Sequence, residues 1–235
     1  MIDTYSAWHC ILGSLKPLPA QSLPYDHCLF HYLAESVLAD RDIPAADRAA
    51  MDGYAIRSED AAAVPVTLRI VGEIPAGSAA QPSLAPGECI RIFTGANIPS
   101  AADTVVMLED TEAKGDETVT ILCPVSRGKH ILRRGENASQ GAVLIRKGDF
   151  LDASRIAVCA AVGSVQLLVH KHPRITILTT GAELKAPGNA VGCHEIRDSN
   201  GPMLAAVLAQ HGFESVSLDS VPDDRQKLLT AMSQA

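Results

Sequence analysis

Aromatic residues are scarce in this sequence of 235 residues: they make up 4% of it, although hydrophobic residues as a whole make up 47%. The core must therefore be built mainly from Ala, Val, Ile and Leu. Positive charge is not in excess either, because 20 Lys and Arg stand against 27 Asp and Glu. This balance argues against a nucleic-acid partner held by bulk electrostatics. The length predicts more than one domain.

Long hydrophobic runs are also missing. No stretch approaches the roughly 18 to 20 uninterrupted apolar residues of a membrane span. The first ten residues, MIDTYSAWHC, lack the basic segment and apolar stretch of a secretory signal. The six cysteines form no CxxC motif and no disulfide framework. We therefore expect a cytoplasmic protein with reduced thiols and no membrane association.

One short stretch, RAAMDGYAIRSED (48–60), contains an acidic residue in front of a glycine. Asp52-Gly53 between apolar neighbours favours a tight hairpin turn, because glycine accepts the positive φ that such a turn needs. The alternative is that Asp52 is a carboxylate held on a rigid corner to do chemistry. From this stretch alone, the turn is the stronger interpretation.

The first half of the chain changes character near residue 45. Residues 22–40 place Leu29, Leu33 and Val37 at helical spacing, with Asp26 as an N-cap candidate. From there to about residue 134, short β-branched runs alternate with turn signals, which predicts a small all-β module.

A second α-rich piece is predicted after the β module. Asp152 or Ser154 can cap a helix over 156–162, and Gly163 stands where a helix-ending glycine belongs. We therefore expect 1–45 and 135–172 to pack as one α-rich dimerisation domain, with 46–134 inserted as a β domain.

The remaining residues, 173–235, predict strand, helix, strand and helix, a pattern typical of a parallel sheet. Ser199 is the expected cap of the first of these helices. Two strands are only the start of a three-layer α/β domain, so this domain is expected to be incomplete. The predicted fold class is multidomain α+β, with an elongated helical/mixed domain, an inserted small all-β domain and this partial α/β domain.

Several polar residues should meet at one edge of that parallel sheet. Glu183 follows the first strand, Asp223 and Asp224 follow the second, and the helix beginning at 199–200 points its N–H groups to the same edge. Carboxylates that face an anion site favour a bridging Mg²⁺. For each acid alone, a helix cap or a solvated loop residue is the stronger alternative. Because these residues converge on one edge, a ligand site and the two structural roles are about equally supported.

Thr94 is a weaker candidate. It lies between a predicted strand and Gly95, where its hydroxyl could face a ligand, but a simple strand-ending turn is the stronger interpretation in isolation.

Five segments together resemble one known family: AAMDGYAIR, RIFTGANIPSAADTVVMLED, RRGENASQGAVLIRKGDFL, PRITILTTGAEL and IRDSNGPML. They occur in the order seen in molybdopterin molybdotransferases, the MoeA and gephyrin E-domain family. The resemblance implies insertion of molybdate into adenylylated molybdopterin, with Mg²⁺ and release of AMP. It also implies a homodimer whose site lies in a cleft between domains, and the molybdopterin adenylyltransferase is a candidate partner.

The resemblance assigns candidate roles to residues of this chain. Asp52, Thr94, Glu183 and Asp223 become the candidate catalytic residues, and the last two would also hold the metal ion. The expected cofactor-binding positions are Gly53, Gly95, Gly181, Ser199 and Asn200.

The chain departs from the family pattern at Ala49, Asn137 and Ala182, where the family usually has Ser, an acid and Asp. The glycine-rich loop of the third domain and the C-terminal β domain of family members have no counterpart in the 235 residues. We therefore expect this chain to be incomplete for catalysis. A non-catalytic dimeric scaffold or a degenerate binding protein of the same fold is the alternative.

Overall fold

The structure is a computed structural model and describes residues 2–213 and 216–234. Four helices are present in these ranges: α1 (Thr4–Ser14), α2 (Ala153–Ala161), α3 (Asn200–Gln210) and α4 (Arg225–Gln234). The strands are β1 (Ala20–Pro24), β2 (Val37–Leu38), β3 (Arg48–Ala49), β4 (Gly53–Ile56), β5 (Val66–Ile74), β6 (Glu88–Ile92), β7 (Thr104–Met107), β8 (Thr111–Lys114), β9 (Thr118–Ile121), β10 (Ile131–Leu132), β11 (Val143–Ile145), β12 (Gln166–His170), β13 (Ile175–Thr180), β14 (Leu184–Lys185), β15 (Ile196–Arg197) and β16 (Val216–Val221).

The chain forms two compact units, one of residues 38–144 and one of 1–37 together with 145–235. The fold is mixed α/β. The domain boundaries inferred from the sequence stay a prediction. None of the described helices is long and apolar enough to cross a membrane.

The unit of residues 38–144 is built on a six-stranded sheet in the order β7-β4-β6-β5-β9-β8. All neighbouring pairs are antiparallel except β5 and β6, which run parallel. Successive side chains of a strand point to opposite faces. Ala55 therefore packs in one buried cluster with Ile90, while Tyr54 and Ile56 pack in another. Both faces of the sheet are covered, and β4 is buried along its whole length.

The helix predicted over 22–40 is wrong. This segment instead forms the end of β1, a single 3-10 turn at Tyr25–His27, and β2. β1 pairs with β12 in antiparallel register, and Leu33 forms a further antiparallel bridge with Val169. Strand pairing therefore overrides the helical spacing, and Asp26 lies in the 3-10 turn rather than at a helix start. The segment is mixed rather than α-rich.

The sequence patterns predicted α2 but missed α1. α1 was not predicted; Asp3 caps it by accepting a hydrogen bond from Ser6 N–H at 2.9 Å. The predicted helix near 156 is confirmed as α2, with the Asp152 carboxylate accepting from Arg155 N–H at 2.8 Å. Gly163 follows with φ of 69°, as its helix-ending role requires.

The predicted parallel pairing in the last part of the chain is confirmed. β13 and β16 run parallel, from the pair Ile175 and Val216 to the pair Thr180 and Val221. α3 lies between these strands in the chain, and α4 follows them. The carboxyl ends of both strands therefore lie at one sheet edge, where ligand sites of α/β folds are found.

Candidate functional site

Asp52 and Thr94 are brought together by two neighbouring central strands. Asp52 immediately precedes β4 and Thr94 follows β6 by two residues, and these strands pair with Gly53 opposite Ile92. Asp52 Oδ1 accepts two hydrogen bonds from Thr94, one from its N–H and one from its hydroxyl, each at 2.7 Å. Sequence reasoning considered these residues separately and did not predict that they bond to each other.

The Thr94 contacts fix the charge state of Asp52. The N–H of Thr94, and then its hydroxyl, hold the pKa of the Asp52 carboxyl below its usual value. The carboxylate is therefore ionised at neutral pH, and any stability that it contributes is present at neutral pH and is lost as the pH falls through its lowered pKa. Both residues are exposed. The arrangement holds one negative charge at the surface, with one oxygen fixed by Thr94.

The hairpin turn expected at Asp52-Gly53 is absent. Gly53 is the first residue of the central strand β4 and is buried. A Cβ on Gly53 would lie 2.8 Å from the Val106 carbonyl carbon and closer still to its oxygen. Close packing against β7 therefore explains this glycine. Gly95 fits the strand-ending turn that the sequence favoured at Thr94. Its φ of 84° lies in the left-handed region that glycine adopts readily.

The second group of candidates follows the carboxyl ends of β13 and β16. Gly181 has φ of 152°, and a Cβ there would lie 2.9 Å from Glu183 Oε2. The Glu183 carboxylate thus lies directly against a position that lacks a side chain. Asp223 is exposed in the loop before α4, while its neighbour Asp224 caps that helix by accepting from Lys227 N–H at 2.9 Å. The helix-cap alternative therefore holds for Asp224.

The start of α3 differs from the expectation. Ser199 occupies the N-cap position, but its side chain forms no capping hydrogen bond. The buried Asp198 carboxylate caps the helix instead, accepting from Gly201 N–H at 3.0 Å. This N–H is the main reason that the pKa of Asp198 is lowered. The signal was present in the sequence, because aspartate is a strong N-cap residue and precedes Gly201 by three positions.

One buried group near α3 has no partner. The hydroxyl of Thr179, in β13, lies in the interior without a hydrogen bond to the described residues. It also helps to lower the pKa of Asp198 as a hydrogen-bond donor does, so the Asp198 carboxylate is the acceptor that it faces. An unpaired buried hydroxyl costs free energy unless a ligand or water satisfies it.

The candidates are thus divided between the two units of the chain. Asp52, Thr94 and Gly95 lie in the unit of residues 38–144. Glu183, Asp223 and the start of α3 at Asn200 follow the strand ends of the other unit. Within residues 2–213 and 216–234, no three His, Cys, Asp or Glu side chains converge as a metal site. The assignment of Glu183 and Asp223 as metal ligands stays a prediction.

Two family models match this chain and together span nearly all of it. Residues 2–163 match the MoeA N-terminal region, domains I and II, and residues 176–235 match a probable molybdopterin binding domain. The six-stranded sheet of residues 38–144 falls within the first match, and α3 and β16 fall within the second.

Individual relatives point to the same family. The molybdopterin molybdenumtransferase of Staphylococcus aureus (strain MSSA476) is 33% identical over 229 residues, which is 96% of this chain. A molybdopterin biosynthesis MoeA protein from Pyrococcus horikoshii OT3 has a solved structure that matches 92% of this chain with a TM-score of 0.76 and 32% identity. A second MoeA structure, from Pyrococcus horikosii, matches 100% of the chain with a TM-score of 0.72 and 29% identity. The chain belongs to the MoeA family.

The match covers only part of each relative. The chain spans about half the length of the curated relatives that it matches, 54% for the Staphylococcus aureus protein. It covers 60% and 61% of the two solved structures.

Proposed function

We propose that this chain supplies part of the active centre that inserts molybdate into adenylylated molybdopterin with release of AMP. One observation carries the proposal: Thr94 holds the exposed Asp52 carboxylate through two hydrogen bonds to the same oxygen. This fixed geometry is what a group that orients a reacting substrate needs. Family membership identifies the reaction class to which such a group would contribute.

Asp52 and Thr94 would orient the substrate rather than take part in covalent chemistry. The Thr94 hydroxyl donates to Asp52 Oδ1, so its lone pairs and Asp52 Oδ2 are left as acceptors. These acceptors suit hydroxyl or N–H donors of the substrate, or a protonated oxygen of molybdate. A carboxylate repels a bare oxyanion, so Asp52 positions the anion only through such a proton or through a cation.

The second group of candidates fits a divalent cation beside an anion. Glu183 and Asp223 offer carboxylate oxygens, the ligand type that Mg²⁺ prefers, and Mg²⁺ usually takes only one or two protein carboxylates. We assign these two residues as its ligands. When bound, Mg²⁺ would supply charge stabilisation at the phosphate leaving group. Ser199 and Asn200 at the start of α3 are the proposed anion-binding positions. The Asp198 carboxylate already accepts from Gly201 N–H there, and the Thr179 hydroxyl and Asn200 N–H also lower its pKa, so an anion would bind at this end together with a cation such as Mg²⁺.

The proposed function predicts a strong effect of Asp52→Asn. The amide oxygen of the introduced asparagine can still accept from Thr94, so the fold should be retained, but the negative charge is lost. In a protein that carries all the domains of the longer relatives, molybdate-dependent AMP release from adenylylated molybdopterin, measured with Mg²⁺ present, should fall about 100-fold or more. Asp40→Asn, at another exposed aspartate of the same unit, is the control and should keep the wild-type rate.

Two results would contradict this assignment. If the Asp52→Asn variant and the wild type release AMP at equal rates, the role of Asp52 is structural only. If that longer protein with an intact Asp52 neither binds adenylylated molybdopterin nor releases AMP, the proposed function itself is refuted. If it binds adenylylated molybdopterin normally but releases no AMP, the scaffold alternative is favoured.

We further propose that the chain forms a homodimer through α1. The apolar residues Tyr5, Trp8, Leu12 and Leu15 recur at helical spacing, and each is about half exposed or more. No residue of α1 is buried. A continuous apolar stripe of this kind usually marks an association surface. The substrate in turn implies the molybdopterin adenylyltransferase as a partner.

Trp8→Glu should convert the dimer into a monomer at micromolar concentration, because it places a charge in the apolar stripe. Sedimentation velocity measures the change. Val165→Glu is the matched control, since Val165 has the same 58% exposure as Trp8 and lies outside α1. A wild-type chain that sediments as a monomer would contradict the dimer, and a dimeric Trp8→Glu variant would exclude α1 as its interface.

A further inference from the structure

A cavity of about 580 Å³ lies in the unit formed by 1–37 and 145–235, away from the candidate residues above. Its size falls in the range of small-molecule sites. Among the described residues, its polar lining consists of Gln21, Asp26, His27, His31 and His172, with no lysine or arginine. These described lining residues are therefore rich in hydrogen-bond acceptors and include no fixed positive charge.

Two of the lining histidines form a stacked pair. The rings of His31 and His172 lie 3.8 Å apart at an interplanar angle of 18°. His31 Nδ1 is 3.2 Å from the Leu29 carbonyl oxygen, and His172 Nε2 is 3.0 Å from the Phe30 carbonyl oxygen. A carbonyl only accepts, so each of these nitrogens carries the proton. In a neutral imidazole the opposite nitrogen is an acceptor.

Burial lowers the pKa of His31, and the neighbouring His172 lowers it further. His31 is therefore neutral at pH 7. Asp26 contributes a negative charge to the lining, and Ala209 and Gly212 place the carboxyl end of α3 there as well. The helix dipole adds a partial negative charge at that end. The charge of Asp26 and the dipole of α3 both favour a cation in this cavity.

A metal ion is a poor fit for this set. Three or more of these side chains do not converge as metal ligands within the described part of the chain. Two stacked imidazoles also direct their lone pairs along parallel planes rather than towards one point. An organic cation avoids this constraint, because several N–H groups can reach separate acceptors.

We propose that this cavity binds a small organic cation of the guanidinium class. A planar guanidinium offers five N–H donors when monosubstituted, enough for the Asp26 carboxylate and the imidazole acceptors together. The Phe30 ring, which also lines the cavity, supplies an aromatic surface of the kind that favours cations.

Agmatine is the probe, titrated into the 235-residue chain by isothermal calorimetry at pH 7.5. We expect a dissociation constant of about 1 mM or tighter. Asp26→Asn should weaken binding at least about tenfold, because it removes the charged acceptor. His31→Phe keeps an aromatic ring in the stack but removes the acceptor, and should also weaken binding. Asp40→Asn, in the other unit, is the control and should leave the affinity unchanged.

The proposal is overturned if the wild-type chain does not bind agmatine at about 10 mM, which is tenfold above the expected dissociation constant. It is also overturned if inorganic phosphate binds more tightly than agmatine, or if Asp26→Asn binds as well as the wild type while its circular dichroism is unchanged. If both cavity variants lose their native circular dichroism, the chemical shifts of the His31 and His172 rings decide the question. These chemical shifts should change when agmatine is added to the wild-type chain. If they do not change, the site is refuted.

Discussion

Replacing Gly53 with alanine is expected to lower the free energy of unfolding by about 3 kcal/mol or more. The added methyl would lie 2.8 Å from the Val106 carbonyl carbon, and this contact is with backbone that cannot rotate away. β4, which is buried along its whole length, would have to separate from β7, the strand at one end of the sheet. Urea unfolding followed by circular dichroism measures the loss.

Gly72→Ala is the matched control for this experiment. Gly72 lies in β5 of the same sheet, and a Cβ there meets nothing within 4 Å. Alanine should be neutral or slightly stabilising at this position, since it reduces the entropy of the unfolded chain. If Gly53→Ala proves as mild as Gly72→Ala, steric exclusion by β7 is not the reason for the glycine.

Gly212→Ala should destabilise the unit of 1–37 and 145–235 by about 2–4 kcal/mol. Two causes act together: Gly212 has φ of 83°, and a Cβ would meet two ring carbons of Phe30 at 2.6 and 2.7 Å and its Cβ closer still. Gly163→Ala separates the causes. Gly163 has φ of 69° with open space around it, so this variant should lose only about 1 kcal/mol.

A second variant tests the contact with Phe30 directly. Phe30 itself has φ of 67°, an unfavourable conformation for a large side chain that glycine adopts freely. In a Phe30→Gly background, Gly212→Ala should therefore cost no more than Gly163→Ala. A double-mutant cycle, measured by thermal or urea unfolding, gives the coupling free energy between positions 30 and 212. Additive effects of the two changes would show that Phe30 does not obstruct position 212.

The parts of the fold that the sequence predicted well depend on short-range signals. α2 has its cap at Asp152 and its end at Gly163 within twelve residues of chain. β13 is a run of apolar and β-branched residues, β16 combines Val and Leu with Ser and Asp, and a helix lies between them in the chain, a combination that leaves few alternatives to parallel pairing.

The failures have a common physical cause, which is contact with distant residues. The spacing of Leu29, Leu33 and Val37 is helical, but β12 offers backbone partners to this part of the chain that the local sequence cannot reveal. Gly53 was predicted as a turn because its neighbours suit one, whereas the restriction on it comes from Val106. The Asp52–Thr94 bond likewise joins residues 42 positions apart.

The pairing of β1 with β12 also has a consequence for synthesis on the ribosome. Ser22 and Gln166, which bond across this pair, are separated by 144 positions. At about 5–20 residues per second, the first strand waits roughly 7–30 seconds for its partner to be translated. The intervening unit can fold during that time, and it then closes most of the loop that the two strands must bridge. Until β12 has been translated, β1 therefore lacks the strand with which it pairs in the folded chain.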